Sequence, residues 1–160
     1  MRRLIPALVL ACACACSAQP VDTGSNDREL AALERQVFQL VNNERTWRRL
    51  SALQWDERLT EEARRQARNM AERGFFSHVD PIRGDLPDRL KRAKIPWTHC
   101  AENLLQEQGY EDPARFAVLS WMKSPGHRKN ILFKEVTRAG VGAARRADGT
   151  LFIAEVFTHP

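Results

Sequence analysis

Leu30, Leu33, Val37, Leu40 and Val41 recur at helical spacing, which predicts an amphipathic helix over about residues 27–48 with Asp27 as its cap. A short apolar connection from Leu50 to Asp56 follows. Thr60-Glu61-Glu62 reads as the start of a second helix, with an N-cap hydroxyl ahead of two carboxylates that face the positive end of the helix dipole. Ala63, Ala67, Met70 and Ala71 give this helix a narrow face of small side chains suited to close packing, and Gly74 stops it. Phe75-Phe76 is expected to be a buried aromatic anchor leading straight into His78. Asp80-Pro81 and Gly84 mark a loop, and a short helix spans about residues 87–93. Asp112-Pro113 starts the next helix, with Asp as cap and Pro at the first helical position, and Phe116, Leu119, Trp121 and Met122 supply its apolar face up to Lys123. Ser124-Pro125 repeats the device at once and puts His127 at the third helical position.

The pattern then changes period. Residues 136–144 carry Gly140-Val141-Gly142, whose missing side chains imply that something approaches the strand closely. Asp148-Gly149 signals a hairpin turn. In the last strand Leu151, Ile153 and Phe157 alternate with Phe152, Ala154 and Val156, so both faces are apolar and both must be covered. Glu155 points with Leu151, Ile153 and Phe157 into a buried layer and therefore needs a partner. Helices early, an antiparallel hairpin late and a strand apolar on both faces predict an α+β domain with helices packed on the sheet.

The N-terminus changes the domain picture. A basic start, Met1-Arg2-Arg3, an apolar run from Leu4 to Ala15 and a small, polar stretch reproduce a secretory signal peptide over residues 1–18. The run is shorter than the ~20 residues that cross a bilayer. Val9-Leu10-Ala11-Cys12 resembles a bacterial lipobox, with Cys16 as a second candidate for lipidation, whereas Cys16-Ser17-Ala18 also suits an ordinary cleavage site. Residues 19–29 suit a flexible tether, which leaves a domain over residues 30–160.

That domain keeps one cysteine, Cys100, and so has no internal disulfide. Cys100 is readable as a buried thiol or as a nucleophile two residues before Glu102. The chain carries a net charge of +5, spread as alternating signs along helices. Without an aromatic-plus-basic stripe, zinc-finger spacing or a nucleotide loop, no nucleic-acid partner is expected. A membrane contact is expected only by way of a lipid anchor on Cys12 or Cys16, if the lipobox rather than the ordinary cleavage site is used.

Three segments carry the chemistry: Phe76-Ser77-His78, Ala101-Glu102-Asn103-Leu104 and Ser124-Pro125-Gly126-His127. Each supplies one group able to bind a metal or move a proton. The positive helix end near His127 favours a neutral imidazole, the form that binds a metal or accepts a proton. Two imidazoles and a carboxylate make a common zinc set, although the helical His-Glu-x-x-His spacing is missing.

These segments, with Val41-Asn42-Asn43-Glu44-Arg45, Trp121 to Leu132 and Gly140-Val141-Gly142, resemble the bacterial branch of the CAP superfamily, also called SCP/TAPS, from about Leu33 onward. The resemblance implies a three-layer α-β-α sandwich with a central, mainly antiparallel sheet and a surface cleft lined by two histidines and two acidic residues. It places His78, Glu102 and His127 in that cleft, with His78 and His127 as ligands of a divalent metal such as zinc. Ala101 stands where the family usually has glycine, and Ser124 where it has its second glutamate. Glu155, where relatives carry glutamine, could replace the lost carboxylate or pair with an arginine such as Arg128. The cleft set is then His78, Glu102, Asn103, Ser124, His127 and Glu155. Three functions follow: an exported envelope domain binding a lipid, a cell-wall fragment or a protein; a metal-dependent hydrolase using His78, Glu102 and His127; or a hydrogen-bonded cluster that positions loops.

Overall fold

The computed structural model describes residues 23–160; the expected signal peptide, with Cys12 and Cys16, lies outside the described residues. In chain order the elements are α1 (Thr23–Trp47), β1 (Gln54–Trp55), α2 (Glu57–Arg73), α3 (Leu86–Arg92), β2 (His99–Glu107), α4 (Pro113–Lys123), α5 (Pro125–Leu132), β3 (Arg138–Arg145) and β4 (Leu151–His159). The four strands form one sheet in the order β1-β3-β4-β2, so β2 is an edge. All pairings are antiparallel except the short parallel contact of β1 with β3.

Alternation along the strands sorts the core into two layers. Val141, Leu151, Ile153 and Phe157 pack with Val37, Val41, Trp121 and Ile131, beneath α1, α4 and α5. Phe152, Ala154, Val156 and Leu104 pack with Leu59, Ala63, Met70 and Leu90, beneath α2 and α3. The result is the three-layer sandwich. Among the described residues every buried apolar side chain lies between Leu33 and Phe157, so residues 23–160 close their own core.

Gly140 and Gly142 explain how α2 sits so close to the sheet. A Cβ on Gly140 would fall 2.1 Å from the Thr60 backbone nitrogen, and one on Gly142 2.0 Å from that of Arg64. The small-residue face of α2 meets the side-chain-free stretch of β3, and neither could be larger.

Several boundaries differ from the sequence reading. α1 begins at Thr23, so residues 23–29 are helical rather than tether, and Asp27 lies inside the helix instead of capping it. α2 starts three residues before Thr60 because Asp56 is the cap, accepting from the Arg58 and Leu59 amides; the Thr60 hydroxyl donates back to the Asp56 carbonyl. Trp55, taken as part of a connection, is in β1. His99–Glu107, not foreseen as a strand, is one of the two longest in the sheet. Phe75 is half-buried but Phe76 is exposed, so the aromatic pair is only partly an anchor.

Candidate functional site

The site is built around the edge strand. Glu102 points into the α2/α3 layer beside Leu104, and its side chain is buried. One carboxylate oxygen accepts from Arg89 Nη2 at 2.8 Å. The other lies 2.9 Å from His78 Nδ1. An ionised carboxylate can only accept, so His78 Nδ1 carries the hydrogen of this contact, and Nε2 is on the outer edge of an exposed ring. The loop from α2 thus reaches one side of the strand.

Helix α5 reaches the other. Asn130 donates from Nδ2 to the Glu102 carbonyl and to Asn103 Oδ1, while Asn103 Nδ2 donates to the His127 carbonyl at 3.2 Å. His127 is half-buried, and its pKa is pushed down by burial first and by the nearby His78 second. Its imidazole is therefore neutral at neutral pH. His78 and Glu102 are in direct contact, and His127, from the third segment, lies near enough to His78 to feel its charge.

The remaining expected cleft residues behave differently. Asn103 is fully buried, on the opposite face of β2 from Glu102, and serves as a clamp for α5 instead of a ligand contact. Ser124 sits at the junction of α4 and α5, half-buried, and its side chain makes no capping bond. Glu155 is a correction: it is fully buried in the α1/α4/α5 layer, away from Glu102, so it cannot stand in for a missing cleft carboxylate. The charge that faces it belongs to Arg45, not Arg128. Arg45 donates to the carbonyls of Ser51, Ile131, Phe133 and Val136 and neither Glu155 oxygen has a hydrogen-bond partner, so burial drives the Glu155 carboxyl pKa well above the usual range. Cys100 is half-buried and unpaired; burial raises its thiol pKa, which argues against a nucleophile.

Sequence reasoning missed the groups beneath the cleft. Arg89, fully buried, bridges Glu102 and Glu62, its Nη1 lying 3.6 Å from Glu62 Oε1. Glu62 also takes Arg83 and Arg65, and Gln66 Nε2 holds the Ser77 carbonyl next to His78. Glu62 and Gln66 are one turn apart on the buried side of α2, among Leu59, Ala63 and Met70. Polar residues inside an apolar helical stripe were the available signal.

A zinc centre of His78, Glu102 and His127 does not fit this arrangement. Both Glu102 oxygens are engaged, one by Arg89 and the other by His78 Nδ1, so a metal held by Glu102 would compete either with the buried ion pair or with the contact that orients His78. Among the described residues no group of three or more His, Cys, Asp or Glu is placed to hold a metal ion.

The model of the cysteine-rich secretory protein family, CAP, matches residues 38–158. Two Bacillus subtilis proteins are similar: YkwD, 37% identical over 120 residues that make up 75% of this chain and 46% of the relative, and the membrane protein YlbC, 35% identical over 71% of this chain and 32% of the relative. The chain thus spans less than half the length of these curated relatives. Among solved structures, an extracellular protein of Bacillus anthracis containing an SCP domain superposes with a TM-score of 0.76 at 29% identity, covering 89% of this chain and 45% of its own. An outer surface protein of Borrelia burgdorferi shares the fold with a TM-score of 0.71 at 19% identity, covering 80% of this chain and 92% of its own.

Proposed function

The chain belongs to the cysteine-rich secretory protein, or CAP, family, and from that premise we propose that it is an exported envelope domain that binds a lipid, cell-wall or protein ligand in the cleft between His78 and His127. The observation that carries this reading is the saturation of Glu102. A carboxylate tied to a buried arginine and to a histidine is committed to holding both in place, and it orients the His78 ring with Nδ1 inward. The second imidazole, His127, is neutral at neutral pH. Two imidazoles held in this way suit recognition of a ligand that carries hydroxyl or amide groups. Export and the envelope location rest on the N-terminal pattern and on similarity to extracellular and surface proteins. Among the described residues no helix is long and apolar enough to cross a membrane.

The test uses residues 23–160 with two probes, a total lipid extract and a muropeptide digest, while the ring resonances of His78 and His127 are followed by NMR. One probe is expected to shift both rings, and His127→Ala to abolish the response without loss of fold. Unmoved rings with both probes would discard the cleft as a binding site. Calorimetric titration with zinc addresses the metal-dependent hydrolase: a tight site lost in both His78→Ala and His127→Ala would overturn the binding-only reading.

A further inference from the structure

The loop between α2 and α3 exposes three large apolar side chains within seven residues: Phe76 at 49%, Val79 at 56% and Ile82 at 60% of full exposure. Single exposed apolar residues mean little; a concentration of them beside a cleft does. This loop is also held in shape. Asp80, almost completely buried, accepts from the Ile82 and Arg83 amides and from Asn69 Nδ2, and its backbone pairs in both directions with Gly84. Gly84 has φ +82°, and a side chain there would strike Asp88. Val79 and Ile82 are therefore displayed by a closed turn whose ordering is complete before any partner arrives, which lowers the entropy lost on binding.

The α5 side of the site has a different character. Lys123, Arg128 and Lys129 are exposed around His127, and none forms an ion pair among the described residues, whereas Arg64, Arg68, Arg83 and Arg89 are all paired. The loop and α5 flank β2 at Glu102, whose side chain contacts His78 and whose carbonyl contacts Asn130, and His127 is close enough to feel the charge of His78. Apolar side chains that can enter a hydrocarbon boundary, next to free cations, are complementary to a surface with an apolar interior and an anionic face.

We propose that the domain docks on an anionic bilayer surface, with Phe76, Val79 and Ile82 entering the headgroup region and Lys123, Arg128 and Lys129 meeting the lipid phosphates. Docking of this kind turns His78 and His127 toward the membrane. It needs neither a lipid anchor nor an occupied cleft, since the surface lies on the rim.

Cosedimentation of residues 23–160 with vesicles tests it, comparing phosphatidylglycerol–phosphatidylcholine mixtures with phosphatidylcholine alone. Binding is expected to the anionic vesicles, to weaken as salt rises, and to fall about tenfold or more in Ile82→Asp and in Arg128→Glu/Lys129→Glu. Both sets of positions are exposed, so unchanged thermal unfolding of the variants separates lost docking from lost fold. Failure to sediment with anionic vesicles overturns the proposal. So does salt-sensitive binding that survives Ile82→Asp, which would mean charge contact without insertion. Self-association of the wild type, abolished by Ile82→Asp, with no vesicle binding would assign the ridge to a second copy of the chain instead.

Discussion

Glu155 and Arg45 show how far a buried charge can go without a matched partner. Arg45 spends its donors on four backbone carbonyls around the ends of α1 and α5, and Glu155 is left with two buried oxygens that have none. Its folded-state pKa is raised above the ordinary 4.5, so the folded state holds the proton longer than the unfolded one. Stability is then complete below about 4.5 and is lost as pH rises toward the raised value. Glu155→Gln is expected to remove this loss and to stabilise the domain at neutral pH by about 1–3 kcal/mol. Urea unfolding at pH 4 and pH 8 checks it: equal wild-type stability at both would contradict the assignment. His127 moves the other way. Its titration by NMR is expected below the ordinary 6.5, and His78→Ala to raise it, because one of the two causes of the depression is removed.

Glu102 carries both the cleft and the fold. Glu102→Ala would take from the fully buried Arg89 its 2.8 Å partner and leave it only the 3.6 Å contact with Glu62, and is expected to cost about 3–5 kcal/mol, read as a lower urea midpoint. An Arg89→Met/Glu102→Ala double variant should recover part of that loss, since the under-compensated guanidinium is then gone. If the double variant is no more stable than Glu102→Ala, the buried arginine is not the source of the cost.

Among the elements, α2 depends most on fit. Helix caps and turns were readable one residue at a time: Asp112 with Pro113, Gly74 in its left-handed conformation and the Asp148-Gly149 turn all appear where their local chemistry puts them. The start of α2 was misplaced because Asp56 and Thr60 are both competent caps, and the choice between them depends on β1 pairing with β3 immediately before. β2 escaped notice for a related reason. As an edge strand clamped by α5 and by the His78 loop, it carries Glu102 and Asn103 where a free strand would carry apolar residues. The glycines of β3, in contrast, were read as a place of close approach and are one. Gly142→Ala would push a methyl group into the backbone of Arg64 and is expected to lower stability by about 3 kcal/mol, seen as a lower unfolding midpoint; a tolerated substitution would mean that α2 can lift off the sheet.

At the scale of the whole molecule the sheet joins two apolar layers, one under α1, α4 and α5 and one under α2 and α3. Because β3 and β4 contribute side chains to both, neither layer can open alone. Val37→Ala in the first and Leu90→Ala in the second should therefore lower one shared transition, with circular dichroism and tryptophan fluorescence coincident; two separable transitions would refute the coupling. By itself the sequence determined what depends on neighbours along the chain: the periodicities, the caps, the turns and the segments that bring His78, Glu102 and His127. Only the tertiary structure decided that Arg89 and Glu62 lie beneath them and that Glu155 faces Arg45 across the opposite layer. The physical reason is that a hydrogen bond from a side chain to a group 13 or 86 residues away leaves no periodic trace; it exists only once the sheet has set which faces meet.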